Sequence, residues 1–388
     1  MIIALILAPF ALLTFCFAIE LFVGLRPLRR VDAPPAIDLS AVIVVPAHDE
    51  EPIIADTLTR LKGAAADRAR ILVVADNCTD STAAAARSTG VEVIERVDPK
   101  RRGKGFALDF ARLHLRSAPP DIVLVIDADC TVDSATIERL IAHCSASGRP
   151  CQAIDLQLPA PNAPPTMQLS IFAFYVRNVV RQRALQRLAG RVHLLGTGMA
   201  LPWRLFDRAG LATDNIVEDL ELGIQLAQSG NPARLIEDTA VWSEAAPQDG
   251  ALDQRRRWEG GYLQSAMKWA PRMLSLSLRR AGMGGLWSVV SLLIPPFALL
   301  LLIDVLLLIF SALALLLTRA SPWPALCLAF VVALAGIGLL LAWALGGSRF
   351  ASGGALLRAP LYILWKLPIY AGIARRGAPK EWLRTGRG

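Results

Sequence analysis

The sequence predicts an α/β domain on a mostly parallel sheet, carrying apolar helices at both ends that are long enough to span a membrane. Three observations predict it. Short apolar runs alternate with helical stretches between Ala41 and Ile126. An uninterrupted apolar run opens the chain at Ile2–Val23. Two more apolar blocks follow the central region, at Leu286–Leu317 and Pro324–Leu345.

The strands come in order. Ala41–Val45 is the first, ended by Pro46, and a helix starts near Glu50. Ile71–Val74 is the second, followed by a polar loop, Asp76–Ser81, rich in helix-capping residues. Val91–Ile94 is a short third strand, and Phe106–Leu115 is helical. Ile122–Ile126 reads as a buried parallel strand, and it ends in Asp127-Ala128-Asp129. Strands alternating with helices imply right-handed crossovers.

Composition narrows the class. The chain has 388 residues, 54% of them hydrophobic and 19% charged, with a net charge of +8. A mean hydropathy of +0.44 is too apolar for an ordinary soluble enzyme. A basic, apolar chain suits membrane phospholipids, an anionic substrate, or both. Nucleic acid is excluded as a partner class, because the basic residues are not interleaved with stacking aromatics. The six cysteines lack CxxC spacing and read as reduced packing residues.

The first apolar run is preceded by no Lys or Arg and followed by no cleavage site, so it reads as a retained anchor. Arg26, Arg29 and Arg30 place its end in the cytoplasm. Pro295-Pro296 should break the second block, and Asp304 within it must face protein or water. A short polar link, Thr318–Ser321, makes the second and third blocks a hairpin. Arg279, Arg280, Arg349 and Arg358 flank the hairpin on the cytoplasmic side. The implied location is a bacterial-type inner membrane, multi-pass, with the N-terminus outside and the central domain inside. Leu356–Ile373 carries internal Arg358, Lys366, Pro360 and Pro368 and reads as interfacial, leading to a tail with Lys380, Arg384 and Arg387. The expected parts are 1–25 anchor, 38–262 catalytic domain, 263–285 linker, 286–347 hairpin and 355–388 interfacial segment. Met167–Arg191, apolar with interspersed arginines, fits either a membrane surface or a helix packed on the sheet.

Several residues carry chemistry. Asp127 and Asp129 leave a strand at its carboxyl end, where α/β sheets bind ligands. Paired carboxylates there suit Mg²⁺ or Mn²⁺ beside a diphosphate, and equally a solvated turn. Asp76 occupies the same kind of exit from the second strand. Gly103-Lys104-Gly105 offers a cation and close backbone approach to a phosphate. Gly196 and Gly198 allow the same approach. Glu218 and Asp219 are adjacent, so only one should point into a given site, and Asp219 is the better base; an acidic helix N-terminus fits them too. Glu221 reads as a solvated helix residue. Gln254, Arg257 and Trp258 share a helix face.

Taken together, these residues resemble the family 2 glycosyltransferases, membrane enzymes of GT-A fold. The resemblance runs from Ser40 to Gly261 through PAHDEE (46–51), ADNCTD (75–80), GKG, DAD (127–129), GTGMAL (196–201), VEDLELG (217–223) and QRRRW (254–258). It is similar to the signature of cellulose, chitin and hyaluronan synthases and of lipid glycosyltransferases such as ceramide glucosyltransferase. It implies a Rossmann-like catalytic domain and a nucleotide-sugar donor, UDP-linked by preference. Pro46, His48, Glu50, Asp76, Lys104, Asp127, Gly196, Gly198 and Glu218 would bind that donor. Asp127 and Asp129 would hold a divalent cation. Asp219 would deprotonate the acceptor, with inversion of the anomeric carbon. Gln254, Arg257 and Trp258 would bind the diphosphate and frame the acceptor. Val217 stands where many synthases carry Thr, which weakens a polymer-synthase reading. About three spans are too few to enclose a glycan path, so the expected acceptor is a lipid-linked one receiving a single sugar. A processive synthase is the alternative, which oligomerisation would revive.

Overall fold

The computed structural model describes residues 2–32, 39–160, 162–244, 248–279, 283–318 and 321–377, and no side chain is described for Ile2, residues 248–254 or Arg376. Arg280, two residues of the expected polar link and the basic tail beyond Gly377 lie outside the described residues.

In chain order the elements are α1 (Ile2–Gly24), β1 (Ala41–Ala47), α2 (Glu51–Ala65), β2 (Arg70–Asp76), α3 (Thr82–Ser88), β3 (Glu92–Arg96), α4 (Lys104–Leu115), β4 (Ile122–Val125) and β5 (Cys130–Val132). Then come α5 (Ser134–Ser147), β6 (Cys151–Leu158), α6 (Pro165–Tyr175), a π-helical turn at Val176–Val180, α7 (Arg181–Ala189), β7 (Met199–Pro202) and α8 (Trp203–Arg208). The chain continues through α9 (Glu218–Gln228), β8 (Arg234–Glu244), α10 (Gln248–Arg279), α11 (Met283–Leu293), α12 (Phe297–Thr318) and α13 (Trp323–Leu345). It closes with α14 (Gly353–Leu356), α15 (Ala359–Trp365) and α16 (Leu367–Arg376).

Two compact units divide the chain. Among the described residues, one comprises residues within 28–160 and 190–265; the other comprises residues within 1–27, 161–189 and 266–377.

The first unit is organised by an eight-stranded sheet of order β3-β2-β1-β4-β7-β6-β8-β5. β3, β2, β1 and β4 are mutually parallel. β7 runs antiparallel to β4 and β6, so the sheet is mixed beyond the nucleotide-fold half. The core lies on the strands: Ile43, Val45, Val73, Leu124 and Ala153 are fully buried, packed with Ile54, Leu58, Ile137 and Leu140 from α2 and α5. Pro46 lies inside β1, paired with Val74, instead of ending the strand. The reason is local: β4 pairs with β1 only at Ala41–Val44, so at Pro46 one ladder has already stopped and no donor is needed there.

The second unit contains three helices long and apolar enough to cross a membrane: Ile3–Gly24, Phe297–Thr318 and Trp323–Leu345. Residues 294–296 separate α11 from α12, as Pro295-Pro296 predicts. Gly338 lets α13 approach α1, since a Cβ there would lie 2.9 Å from Leu21 Cβ. Asp304, fully buried, accepts a 2.7 Å hydrogen bond from Thr14 Oγ1 on α1. Glu20, also fully buried, is bound by Arg181 Nε at 2.6 Å, and the same guanidinium donates to the Ser291 carbonyl at 3.0 Å. Arg187 donates to the Val23, Arg26 and Pro27 carbonyls past the last turn of α1. Residues 165–189 therefore group with α1 and the C-terminal helices, and two of their arginines are bound within that bundle. The segment 353–376 is three short helices, each below spanning length.

Candidate active site

The first two βα turns form one polar corner. His48 Nδ1 lies 2.7 Å from the Asp76 carbonyl oxygen, so Nδ1 carries the proton and donates. The Glu50 amide donates to Thr82 Oγ1 at 2.8 Å, while Glu50 itself precedes α2. Asp49 and Asn77 hold positive φ values of 53° and 50°, a costly backbone that clusters at ligand sites. Asp76 is fully buried and ion-paired to Arg96 Nη1 at 2.6 Å through Oδ1, leaving Oδ2 without a hydrogen-bond partner. Arg96 is a residue that sequence reasoning missed. Only the cross-strand register, which sets Asp76 opposite Arg96, brings them together.

A second group gathers at the ends of β4, β7 and α9. Lys104, first residue of α4, bonds Asp127 Oδ1 and donates to the Gly196 carbonyl at 2.9 Å. Gly196 has φ +86°, and a Cβ there would sit 3.2 Å from Lys104 Nζ and 3.3 Å from Asp219 Oδ2. The Gly196 carbonyl thus binds the cation, and a side chain at this position would crowd both the cation and the candidate base. Gly198 serves packing instead: a Cβ there would lie 2.7 Å from Val241 Cγ2. Gly105 is packed as tightly, with a Cβ position 2.6 Å from the Leu211 carbonyl oxygen.

The electrostatics follow from this crowding. Burial alone would depress the Lys104 ammonium, but Asp127 and Glu218 reverse the sign and hold it above its ordinary value. Burial pushes the Asp127 carboxyl up, aided by neighbouring Asp129 and opposed by Lys104. Burial raises Glu218 to about 8, reinforced by Asp219 and opposed by Lys104. Burial lowers the Arg257 guanidinium, with Glu218 acting against it. Glu218 and Asp219 therefore both act on this group, contrary to the expectation that only one would. They are the first two residues of α9.

The spatial pairing of α9 and α10 was not visible in the sequence. Asn215 Nδ2 donates to Glu221 Oε2 at 2.7 Å and to Ser265 Oγ at 3.3 Å. Glu221 is buried, not solvated, because Asn215 satisfies it. A Cβ on Gly261 would lie 3.2 Å from Val217 Cγ1, so Gly261 lets α10 close on the start of α9. Arg257 and Trp258 lie on that helix and are partly buried; the Gln254 side chain is outside the described residues.

Two acid-containing groups have the spacing of cation ligands. In the first, Asp127, Asp129 and Cys130 bring one ligand atom each within 4.8 Å of the others. Burial and the adjacent carboxylates push the Cys130 thiol far up, so it stays protonated and the two carboxylates are the donors. An oxygen pair of this kind fits a hard divalent cation. Thr197 braces the turn, accepting from the Asp127 amide at 3.1 Å. The second group, His48, Asp49 and Cys78, fits less well. Asp49 spends both oxygens on Thr79, and burial raises the Cys78 thiol.

Comparison with known proteins gives the family. The model of "Glycosyl transferase family group 2" matches residues 122–346, and that of "Glycosyl transferase family 2" matches residues 42–200. The chain belongs to the family 2 glycosyltransferases. No curated protein sequence matches it significantly. Among solved structures, a mannosyltransferase from Pyrobaculum calidifontis, in complex with GDP-Man and Mn²⁺, is 19% identical. That alignment covers 94% of this chain and 99% of the other with a TM-score of 0.58, a likeness of fold. Glucosyl-3-phosphoglycerate synthase from Mycobacterium tuberculosis, in complex with Mn²⁺, UDP and phosphoglyceric acid, is also 19% identical. There the match covers 58% of this chain and 78% of the other, with a TM-score of 0.39.

Proposed function

We propose that this glycosyltransferase moves one sugar from a nucleotide-sugar donor to a lipid-linked acceptor at the cytoplasmic face of a membrane, inverting the anomeric carbon. The observation that carries the reading is that Lys104 bonds both Asp127 and the Gly196 carbonyl, while Asp219 lines the space beside Gly196. Groups from three distant stretches of chain serve one small volume there.

The roles follow from that placement. His48, Glu50 and Asp76, at the first two βα turns, take the nucleoside, with Pro46 shaping the strand end beneath them. Asp127 and Asp129 are the ligands for Mg²⁺ or Mn²⁺, which supplies charge neutralisation at the diphosphate. Lys104 and Arg257 add positive charge on the leaving side. Gly196 admits the donor closely; Gly198 supports that turn through packing. Glu218 sets the charge balance at the donor. Asp219 takes the proton from the acceptor hydroxyl as that oxygen attacks the anomeric carbon opposite the leaving nucleoside diphosphate. Base catalysis of this kind is worth roughly 10²–10⁴-fold. Gln254 and Trp258 complete the acceptor side.

The domain division proposed from the sequence, with residues 38–262 catalytic and 1–25 and 286–347 in the membrane, is supported by the three apolar helices. Arginines past α1 and around the hairpin favour an outside N-terminus. A lipid acceptor rather than an extruded polymer is favoured because Asp304 spends one oxygen on Thr14 within the helix bundle. Purified protein given radiolabelled nucleotide sugars and membrane lipid extract should yield a chloroform-soluble product carrying one sugar. A long water-soluble polymer would establish the processive alternative.

A further inference from the structure

Arg191 holds a buried charge that no carboxylate among the described residues neutralises. Its residue is 5% exposed, its Nε has no hydrogen-bond partner, and its Nη2 lies 3.3 Å from His193 Nδ1. Burial pulls its pKa down to about 10, with no opposing acid. A buried guanidinium in this state is costly, and the remedy in folded proteins is a paired anion.

The segment carrying it leads into the candidate active site. The Val192 amide donates to the Ala233 carbonyl at 3.0 Å, and the Leu195 amide to Gln152 Oε1 at 2.9 Å. Leu194 packs on Gly223 of α9, where a Cβ would lie 3.2 Å from the Leu194 nitrogen. Val192 and Leu194 are fully buried on one side of this run, and the Arg191–His193 contact shows those two residues sharing the other. Five residues reach at most about 18 Å, so Arg191 lies within that distance of Gly196 and its contacts with Lys104 and Asp219.

We propose that Arg191 is an anchoring site for a phosphate group carried by the acceptor. The inference rests on the lipid-acceptor reading above and names the acceptor's charge. A guanidinium presents its Nε–H and an Nη–H as a rigid fork matched to two oxygens of an oxyanion. Among membrane lipids, the commonest such oxyanion is a headgroup phosphate. The phosphate is a handle and not the nucleophile: the attacking hydroxyl sits elsewhere on the acceptor, at Asp219.

The test uses the full chain in detergent with Mn²⁺ and saturating nucleoside diphosphate, so that the donor site is filled. Decyl phosphate, inorganic phosphate and decanol are titrated in turn. Wild type should bind decyl phosphate and ignore decanol. Arg191→Met should bind it at least tenfold more weakly, with nucleoside diphosphate affinity unchanged within twofold. Arg191→Lys, which keeps the charge and loses the fork, should lie between them and serves if the Met variant fails to fold. Equal binding of inorganic phosphate would keep the phosphate site and assign it to free phosphate in place of a lipid headgroup. Unaltered decyl phosphate affinity in both variants, or decanol binding as well as decyl phosphate, overturns the inference. Phosphate binding through Arg191 without sugar transfer to lipid would sink the lipid-acceptor reading and leave the site standing. Sugar transfer to lipid with no role for Arg191 would do the reverse.

Discussion

The two units of this protein treat charge in opposite ways. In the helical unit, ionisable groups are tied to partners in the bundle. Thr14 binds Asp304, Arg181 binds Glu20, and Arg187 spends its fork on carbonyls past the last turn of α1. In the sheet unit, three acids act on one lysine, and Glu218 is raised to about 8 by burial, with Asp219 reinforcing the rise and Lys104 opposing it. Among the described residues, no acid acts on Arg191 in the same unit. Paired charge holds helices in place; unbalanced buried charge in a cleft marks a candidate ligand site.

That contrast can be broken at several points. The largest effect should come from the helical unit. Arg181→Leu leaves Glu20 buried and unpaired, which should cost about 3–5 kcal/mol of stability. Adding Glu20→Leu to that variant should recover most of the loss. Thermal denaturation in detergent reads both, and a double variant no more stable than the single would contradict the pairing.

In the sheet unit the effects should fall on ligands. Asp129→Ala should weaken donor binding at least tenfold in the presence of Mn²⁺ and change it little in its absence, by calorimetry. Equal affinities with and without the metal in wild type would remove the cation from the account.

The smallest effect is a pH dependence. Glu218 titrates near 4.5 when unfolded and near 8 in the fold, so the native state holds a proton that the unfolded chain has lost. The stability from this group is present below about 4.5 and disappears as pH rises through about 8. The Tm of donor-free wild type should therefore fall relative to Glu218→Gln between pH 6 and pH 9. Parallel pH profiles for the two proteins would show that Glu218 is not crowded as described.

Much of the fold was legible because its signals are local. The runs at 41–47, 71–75 and 122–125 are continuous and apolar, as strands buried on both faces must be. The acids at strand ends stood out for the same reason: charge directly after an apolar run needs an explanation. What stayed hidden depends on residues far apart in sequence. Lys104 meets Asp127 across 23 positions and Gly196 across 92. Arg96 meets Asp76 only through strand register. Asn215 carries no signal in the sequence, yet it joins Glu221 to Ser265 and so sets α10 against α9. The segment 165–189 has no distinguishing period that would separate a membrane surface from a sheet face. Its grouping with α1 is decided by Glu20 and by the α1 carbonyls it binds.

The most direct test concerns Asp219. Lipid-extractable sugar transfer by Asp219→Asn should drop by at least about a hundredfold, the lower range for loss of a general base. Its donor affinity, measured on the same preparation, should stay within threefold of wild type. Transfer near the wild-type rate would mean that the acids gathered at Gly196 do not act on the acceptor, and the account of the site would fail.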